Sequence, residues 1–268
     1  ILHEKTAPDG YAYAKDVEFT VHVDSIEGNE QLVTMHDAKN VVVVSKTDLA
    51  GTKELPGAKL QILSSDGKTV LESWTSTNEE YKVTKKLKAG ESYILREIEA
   101  PDGYAIADDV KFTVNKDGST TKVVMKDAQT KVTISKKAIT GTDSIGGAEL
   151  RVIDKDGKVV VEKWTTKAGE DTTVTGVFNV GETYTLQEVT PPTGYAKAAD
   201  INFTLNKKGE IVINDKTETL VVMRDAKLQL KVSKKDITDT DELPGAVLQI
   251  LDKADNSVIA EWTTTDKP

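Results

Sequence analysis

The chain has 268 residues, enough for two to four domains at about 100–200 residues each. Its net charge of −9 is spread without a basic stripe, which argues against a nucleic-acid partner, because phosphate binding needs clustered Lys and Arg. No apolar run approaches the roughly 18–20 residues that span a bilayer; no secretory leader is visible, as expected of a mature fragment; and the absence of cysteine excludes disulfides, thiol catalysis and thiolate metal sites.

In chain order, the first feature is Leu2-His3-Glu4 running to Pro8-Asp9-Gly10-Tyr11. This Leu-x-Glu-x-x-x-Pro-x-Gly-Tyr pattern returns from Leu95 to Tyr104 and from Leu186 to Tyr195. Its first half reads as a strand end and its Pro-x-Gly as a turn, since Pro fixes one backbone angle and Gly permits a positive one. A second marker, Val33-Thr34-Met35-His36-Asp37-Ala38, recurs in the segments that end at Asp127-Ala128 and Asp225-Ala226. A third, Val43-Val44-Ser45-Lys46, recurs as Thr133-Ile134-Ser135-Lys136 and as Lys231-Val232-Ser233-Lys234. Each Asp precedes the next marker lysine by nine residues: 37 to 46, 127 to 136 and 225 to 234. Self-similarity at such a spacing marks a repeat array. It divides the chain into the C-terminal part of a repeat over 1–38, complete repeats over 39–128 and 129–226, and the N-terminal part of another over 227–268.

Strands are predicted at Lys59–Leu63, Val70–Thr75, Ser92–Glu97, Val110–Val114 and Lys122–Met125, separated by turns at Pro56-Gly57, Asp66-Gly67, Ala89-Gly90 and Asp117-Gly118. About seven short strands per repeat, with no long helical period, point to an all-β fold of tandem β-sandwiches. Trp74, Trp164 and Trp262 fall at matching points of their repeats and are read as core anchors.

Strand parity then singles out three residue types. Side chains two apart share a face, so Lys136 lies with Val132 and Ile134, Asp225 with Val221 and Met223, and Glu188 with Tyr184 and Leu186. The same count places Lys46, Glu97 and Asp127 inward in the first complete repeat, Asp37 with Val33 and Met35, and Lys234 with Leu230 and Val232. Strand-end charges reaching for solvent would not repeat in three types at matching positions. A buried ion pair costs several kcal/mol per ion unless its geometry is excellent. The remaining reading is chemical. Desolvation favours neutral lysine, a nucleophile, and a neutral Asp acid, an acyl electrophile, while a neighbouring Glu can shuttle protons. Held in contact, amine and acid can form an amide with loss of one water.

The order Lys, then Leu-x-Glu-x-x-x-Pro-x-Gly-Tyr, then Val-Met-x-Asp-Ala resembles the Cna B-type (SpaA-like) isopeptide-forming repeat domains of Gram-positive surface adhesins and pilins. The resemblance covers the whole chain, and it implies immunoglobulin-like β-sandwich repeats in an elongated rod. Carried over by position, Lys46 would bond to Asp127 with Glu97 assisting, and Lys136 to Asp225 with Glu188 assisting. Many family members use Asn as acceptor and release ammonia; Asp at these positions makes water the leaving group. The second complete repeat departs in Pro192-Thr193 and in its longer Glu-to-Asp spacing, 37 residues against 30, both loop features.

The implied function is a structural stalk or fibre segment at the cell surface or cell wall of a Gram-positive bacterium. Its partners would be neighbouring repeats or chains of the same fibre, with host matrix proteins met through regions outside this window and no membrane insertion. A ligand-binding adhesin module, or a pilin shaft subunit with intermolecular cross-links, is the alternative. Glu4 and Asp37 have no lysine in their part-repeat, and Lys234 has neither acid. The expectation is a window on a longer array; alternatively, Lys234 of one chain bonds to Asp37 of the next. No enzyme with turnover and no cofactor is expected, since His3, His22 and His36 form no repeated constellation. The acidic run Asp236-Ile237-Thr238-Asp239-Thr240-Asp241 could attract calcium, but the matching turns at 48–54 and 138–144 do not keep its carboxylates, so no metal is assigned.

Overall fold

Short alternating segments punctuated by turns leave this chain little choice but strands. The computed structural model describes residues 1–238 and 240–268, and among them there is no helix. Asp239, part of the acidic run considered for calcium, lies outside the described residues.

The first complete repeat contains β1 (Val42–Asp48), β2 (Lys59–Ser64), β3 (Val70–Thr75), β4 (Tyr81–Lys82), β5 (Ser92–Glu99), β6 (Val110–Thr113) and β7 (Thr121–Asp127). They form two sheets, ordered β3-β2-β5-β6 and β4-β1-β7. The second contains β8 (Lys131–Ala138), β9 (Glu149–Asp154), β10 (Val159–Thr165), β11 (Thr172–Thr175), β12 (Thr183–Thr190), β13 (Ile201–Leu205), β14 (Ile211–Ile213), β15 (Lys216–Glu218) and β16 (Val221–Asp225). Its sheets are β10-β9-β12-β13-β14-β15 and β11-β8-β16. The added β14–β15 hairpin, turning through Asn214 and Asp215 at positive φ, takes up the longer Glu-to-Asp spacing.

Each repeat buries its own apolar core between its two sheets, as amphipathic sheets must. Val44, Leu60, Leu95 and Met125 lie in the first core, and Ile134, Leu150, Leu186 and Met223 in the second. The tryptophans sit at the margins of these cores. Trp74 is half-buried and stacks on Tyr81 with centroids 4.3 Å apart, and Trp164 packs likewise on the second core. Trp74, Trp164 and Trp262 pair across the ladder with Leu60, Leu150 and Leu248 in turn, so the repeat extends to the final hairpin of β17 (Val247–Leu251) and β18 (Val258–Thr263).

The joints between repeats are built from the Pro-x-Gly-Tyr turns. Gly103 N donates to Asn179 Oδ1 at 2.8 Å, Ile106 N to Lys207 O at 2.9 Å, and Thr130 N to Gly103 O at 2.8 Å. One repeat earlier, Tyr13 N donates to Lys116 O at 2.9 Å and Asn40 N to Gly10 O at 3.0 Å. The same surfaces therefore meet at both joints.

One strand expectation is corrected. Residues 230–234 form no strand, and Lys234 is exposed rather than turned inward. A strand needs a partner edge to satisfy its backbone, and no segment matching β7 or β16 follows Lys234 in this sequence.

Candidate functional site

β1 and β7, the first and last strands of their repeat, lie side by side and parallel, with Lys46 opposite Met125 and Asp127 opposite Asp48. Met125 and Asp127 share a face, so the acid sits one inward position beyond the residue opposite Lys46. The lysine side chain spans that offset, and its Nζ donates a hydrogen bond to Asp127 Oδ1. Glu97 comes from β5 in the facing sheet and places Oε1 2.9 Å from the same Nζ. The second repeat repeats the arrangement. Lys136 lies opposite Met223, donates to Asp225 Oδ1, and has Glu188 Oε1 2.9 Å away. Lys46, Glu97 and Asp127 are 2%, 4% and 1% exposed, so three ionisable groups share a nearly dry site.

The Leu-x-Glu-x-x-x-Pro-x-Gly-Tyr stretch aims the glutamate. Tyr104 N donates to Pro101 O at 3.1 Å with Gly103 at φ +80°, a tight reversal that needs a residue free to adopt positive φ. After the turn, Ala105 N donates to Ala128 O at 2.9 Å, pinning the chain beside Asp127. Ala107 N then reaches Glu97 Oε2 at 2.7 Å. Ala198 N does the same for Glu188 Oε2 at 2.6 Å, and Ala14 N for Glu4 Oε2 at 2.7 Å. These backbone donors are functional groups that residue-type reasoning passes over. Their signal is the Tyr-Ala-x-Ala that follows every Pro-x-Gly turn, at Tyr11, Tyr104 and Tyr195.

Electrostatically the site favours neutral acids. Burial pushes Glu97 up to about 7, against the opposing pull of the Ala107 N–H and the Lys46 charge. Burial likewise raises Asp127 and Asp225 above the ordinary range, with the neighbouring lysines acting against it. Oδ2 of Asp127 and of Asp225 are buried with no hydrogen-bond donor, and Oε1 of Glu97 and of Glu188 face only the lysine Nζ. A stable buried ion pair needs its remaining lone pairs satisfied. These pairs fail that condition, so the charged state gains little here.

Glu4, Asp37 and Lys234 are not brought together. Glu4 and Asp37 are half-buried, and Val33 and Met35 alternate with exposed Thr34 and His36 as parity requires. Among the described residues, no ion pair joins Lys234 to Glu4 or Asp37.

The family model described as SpaA, prealbumin-like fold domain, matches residues 40–129 and again 130–219, more than half of the chain. Among solved structures, the chain is similar to the Bacillus anthracis TIE protein at 22% identity and a TM-score of 0.44, over 84% of this chain and 41% of that one. The chain thus spans less than half the length of that protein. It is also similar to the shaft pilin SpaA of Lactobacillus rhamnosus GG, at 16% identity and a TM-score of 0.35, over 72% of this chain and 98% of that one. A C-terminal fragment of the pilus adhesin SpaC from the same organism gives 14% identity and a TM-score of 0.41, over 72% and 98% of the two chains. No curated protein matches the chain.

Proposed function

Because the chain belongs to the SpaA prealbumin-like fold domain family, we propose that it is a structural stalk or fibre segment of a Gram-positive cell-surface protein, locked by spontaneous isopeptide bonds between Lys46 and Asp127 and between Lys136 and Asp225. The repeats would run over 39–128 and 129–226, flanked by part-repeats, and its partners would be neighbouring repeats or chains of the same fibre. The observation that carries this reading is the burial of a lysine against two carboxyl groups at matching places in two sandwiches.

The chemistry follows from the contacts. The lone pair of neutral Lys46 Nζ attacks Cγ of neutral Asp127, forming a C–N bond. The Asp C–O bond breaks, and the hydroxyl leaves with a proton as water. Glu97, held neutral by burial, gives its proton to the departing oxygen and takes up the proton that the amine sheds. Contact between amine and acid supplies the effective concentration that amide formation lacks in water. Each domain acts once on itself, without turnover.

The test is intact mass under denaturing conditions. The mass should fall below the sequence mass by one water per closed repeat, two for this chain. A full sequence mass would end the cross-link reading.

A further inference from the structure

Outside the triads, a third carboxylate attends the lysine. Glu54 Oε1 accepts a hydrogen bond from Ser45 Oγ at 2.5 Å, and its Oε2 accepts one from the backbone N–H of Lys46 at 2.8 Å. The next residue completes the grip, since Leu55 N donates to Lys46 O at 2.6 Å. The place is telling, because β4 pairs with β1 only at Val43 and Val44. Beyond Val44 no further strand pairs with that edge of β1; a single bridge between Thr47 and Glu54 closes it, and the Glu54 carboxylate with the Leu55 N–H takes over its hydrogen bonds at the lysine itself.

The device recurs. In the last part-repeat, Glu242 accepts from Ser233 Oγ at 2.5 Å and from Lys234 N at 3.1 Å, and Leu243 N donates to Lys234 O at 2.7 Å. There the clamp stands although Lys234 is exposed and has no acid pair, so it does not depend on the triad. In the second complete repeat Ser144 replaces the glutamate. Its Oγ lies 3.2 Å from Ser135 Oγ and donates to Asp171 Oδ1 at 2.5 Å, while Ile145 N donates to Lys136 O at 2.7 Å. A carboxylate is thus tied to the serine before the lysine in all three repeats, twice directly and once through a hydroxyl.

We propose that Glu54 is a positioning residue for isopeptide formation: by clamping the backbone of Lys46 at the edge of β1 beyond β4, it fixes the root of the side chain so that Nζ meets Asp127 and Glu97. This rests on the cross-link reading above. Glu54 touches no reacting atom. Its effect is on approach geometry, where a misplacement of about 1 Å can slow a reaction on the order of a hundredfold. Glu54 lies eight residues from Lys46, so the clamp can form before the distant strands β5 and β7 arrive.

The test uses the full chain, with each repeat as a clock for the other. Chains made in a cell-free pulse are quenched in acid at intervals and digested, and the Lys46–Asp127 and Lys136–Asp225 linked peptides are counted by mass. Glu54→Ala should slow the first linkage by about ten- to a hundredfold and leave the second at its normal pace. Glu54→Gln should restore the first, because an amide oxygen can still accept from Lys46 N while its NH2 group donates to Ser45. A purely structural role would lower the melting temperature of a non-closing Asp127→Ala chain without giving this pattern of closure rates and rescue. First-repeat closure in Glu54→Ala that keeps pace with the second overturns the inference, as does a Glu54→Gln chain as slow as Glu54→Ala. Should Glu54→Ala leave the first repeat unfolded by limited proteolysis, Ser45→Ala decides, because it removes one of the two hydrogen bonds that hold the Glu54 carboxylate. Slowed Lys46–Asp127 closure beside normal Lys136–Asp225 closure supports the clamp, and equal rates overturn it. If neither linkage forms in the parent chain, the cross-link reading itself fails, a result distinct from any of these.

Discussion

Lys46 meets two carboxyl groups where water is nearly absent, and that burial shifts both acids toward their neutral forms. Glu97 is held from the side away from Lys46 by Ala107 N, which leaves Oε1 facing the amine. Replacing Glu97 with Ala should leave the sandwich folded but slow closure by about 10²–10⁴-fold, the usual contribution of a positioned acid–base. Timed intact mass reads this directly, and closure at the parent rate would remove Glu97 from the mechanism. A stability test follows from the same group. In an Asp127→Ala chain, which cannot close its first bond, burial, the largest cause of the Glu97 shift, still holds the folded-state carboxyl above its ordinary 4.5. The folded state then holds more protons than the unfolded one from 4.5 up to that raised value. Its contribution is fully present below 4.5 and is lost as pH rises through the raised value. Urea midpoints of Asp127→Ala should therefore fall over that window relative to Asp127→Ala/Glu97→Gln, and parallel profiles would contradict the assigned shift.

At the scale of elements, the Pro-x-Gly-Tyr turn serves both the site and the joint. Gly103 has φ +80°, and a Cβ placed there would lie 2.4 Å from Gly176 O of the next repeat. Gly194 has a similar φ of +84° but open space around it. Gly194→Ala should therefore show the backbone penalty alone, about 1–2 kcal/mol, whereas Gly103→Ala should cost measurably more and loosen the joint. Thermal unfolding of the two variants, read repeat by repeat by proteolysis, makes the comparison; equal losses would mean the joint yields freely. Much of this element was readable beforehand. Parity put Lys136, Glu188 and Asp225 inward, and the ladder agrees, because a period of two is fixed by the pleat. Three features were not legible. The Ala107 N–H carries no residue-type signal. Asp171 reaches Ser144 across 27 residues, which only the folded chain brings together. Lys234 follows the right pattern but lacks a partner strand, and a pattern without a partner does not make a strand.

For the whole molecule, the parallel β1–β7 and β8–β16 pairs decide how tension would travel. Pulling the start of β1 away from the end of β7 loads the two adjacent strands in shear, and the proposed amide joins them directly. It would bypass the 80 residues between Lys46 and Asp127, leaving the short link from Asp127 to Lys136 in the force path. On the chain-entropy account, closing a loop of that size stabilises by about 4–5 kcal/mol, but the mechanical effect is larger in kind, since no force short of bond rupture extends the bypassed segment. Single-molecule pulling between handles at the first residue of β1 and the last of β16 should show no long unfolding step in the parent chain. In Glu97→Ala chains captured before closure, the first repeat should release up to 80 residues, roughly 260–290 Å of contour, while the second stays locked by Lys136 and Asp225. A parent chain that releases the same length under load would show that tension does not pass through the amide, and the stalk reading would lose its mechanical basis even if the mass deficit were found.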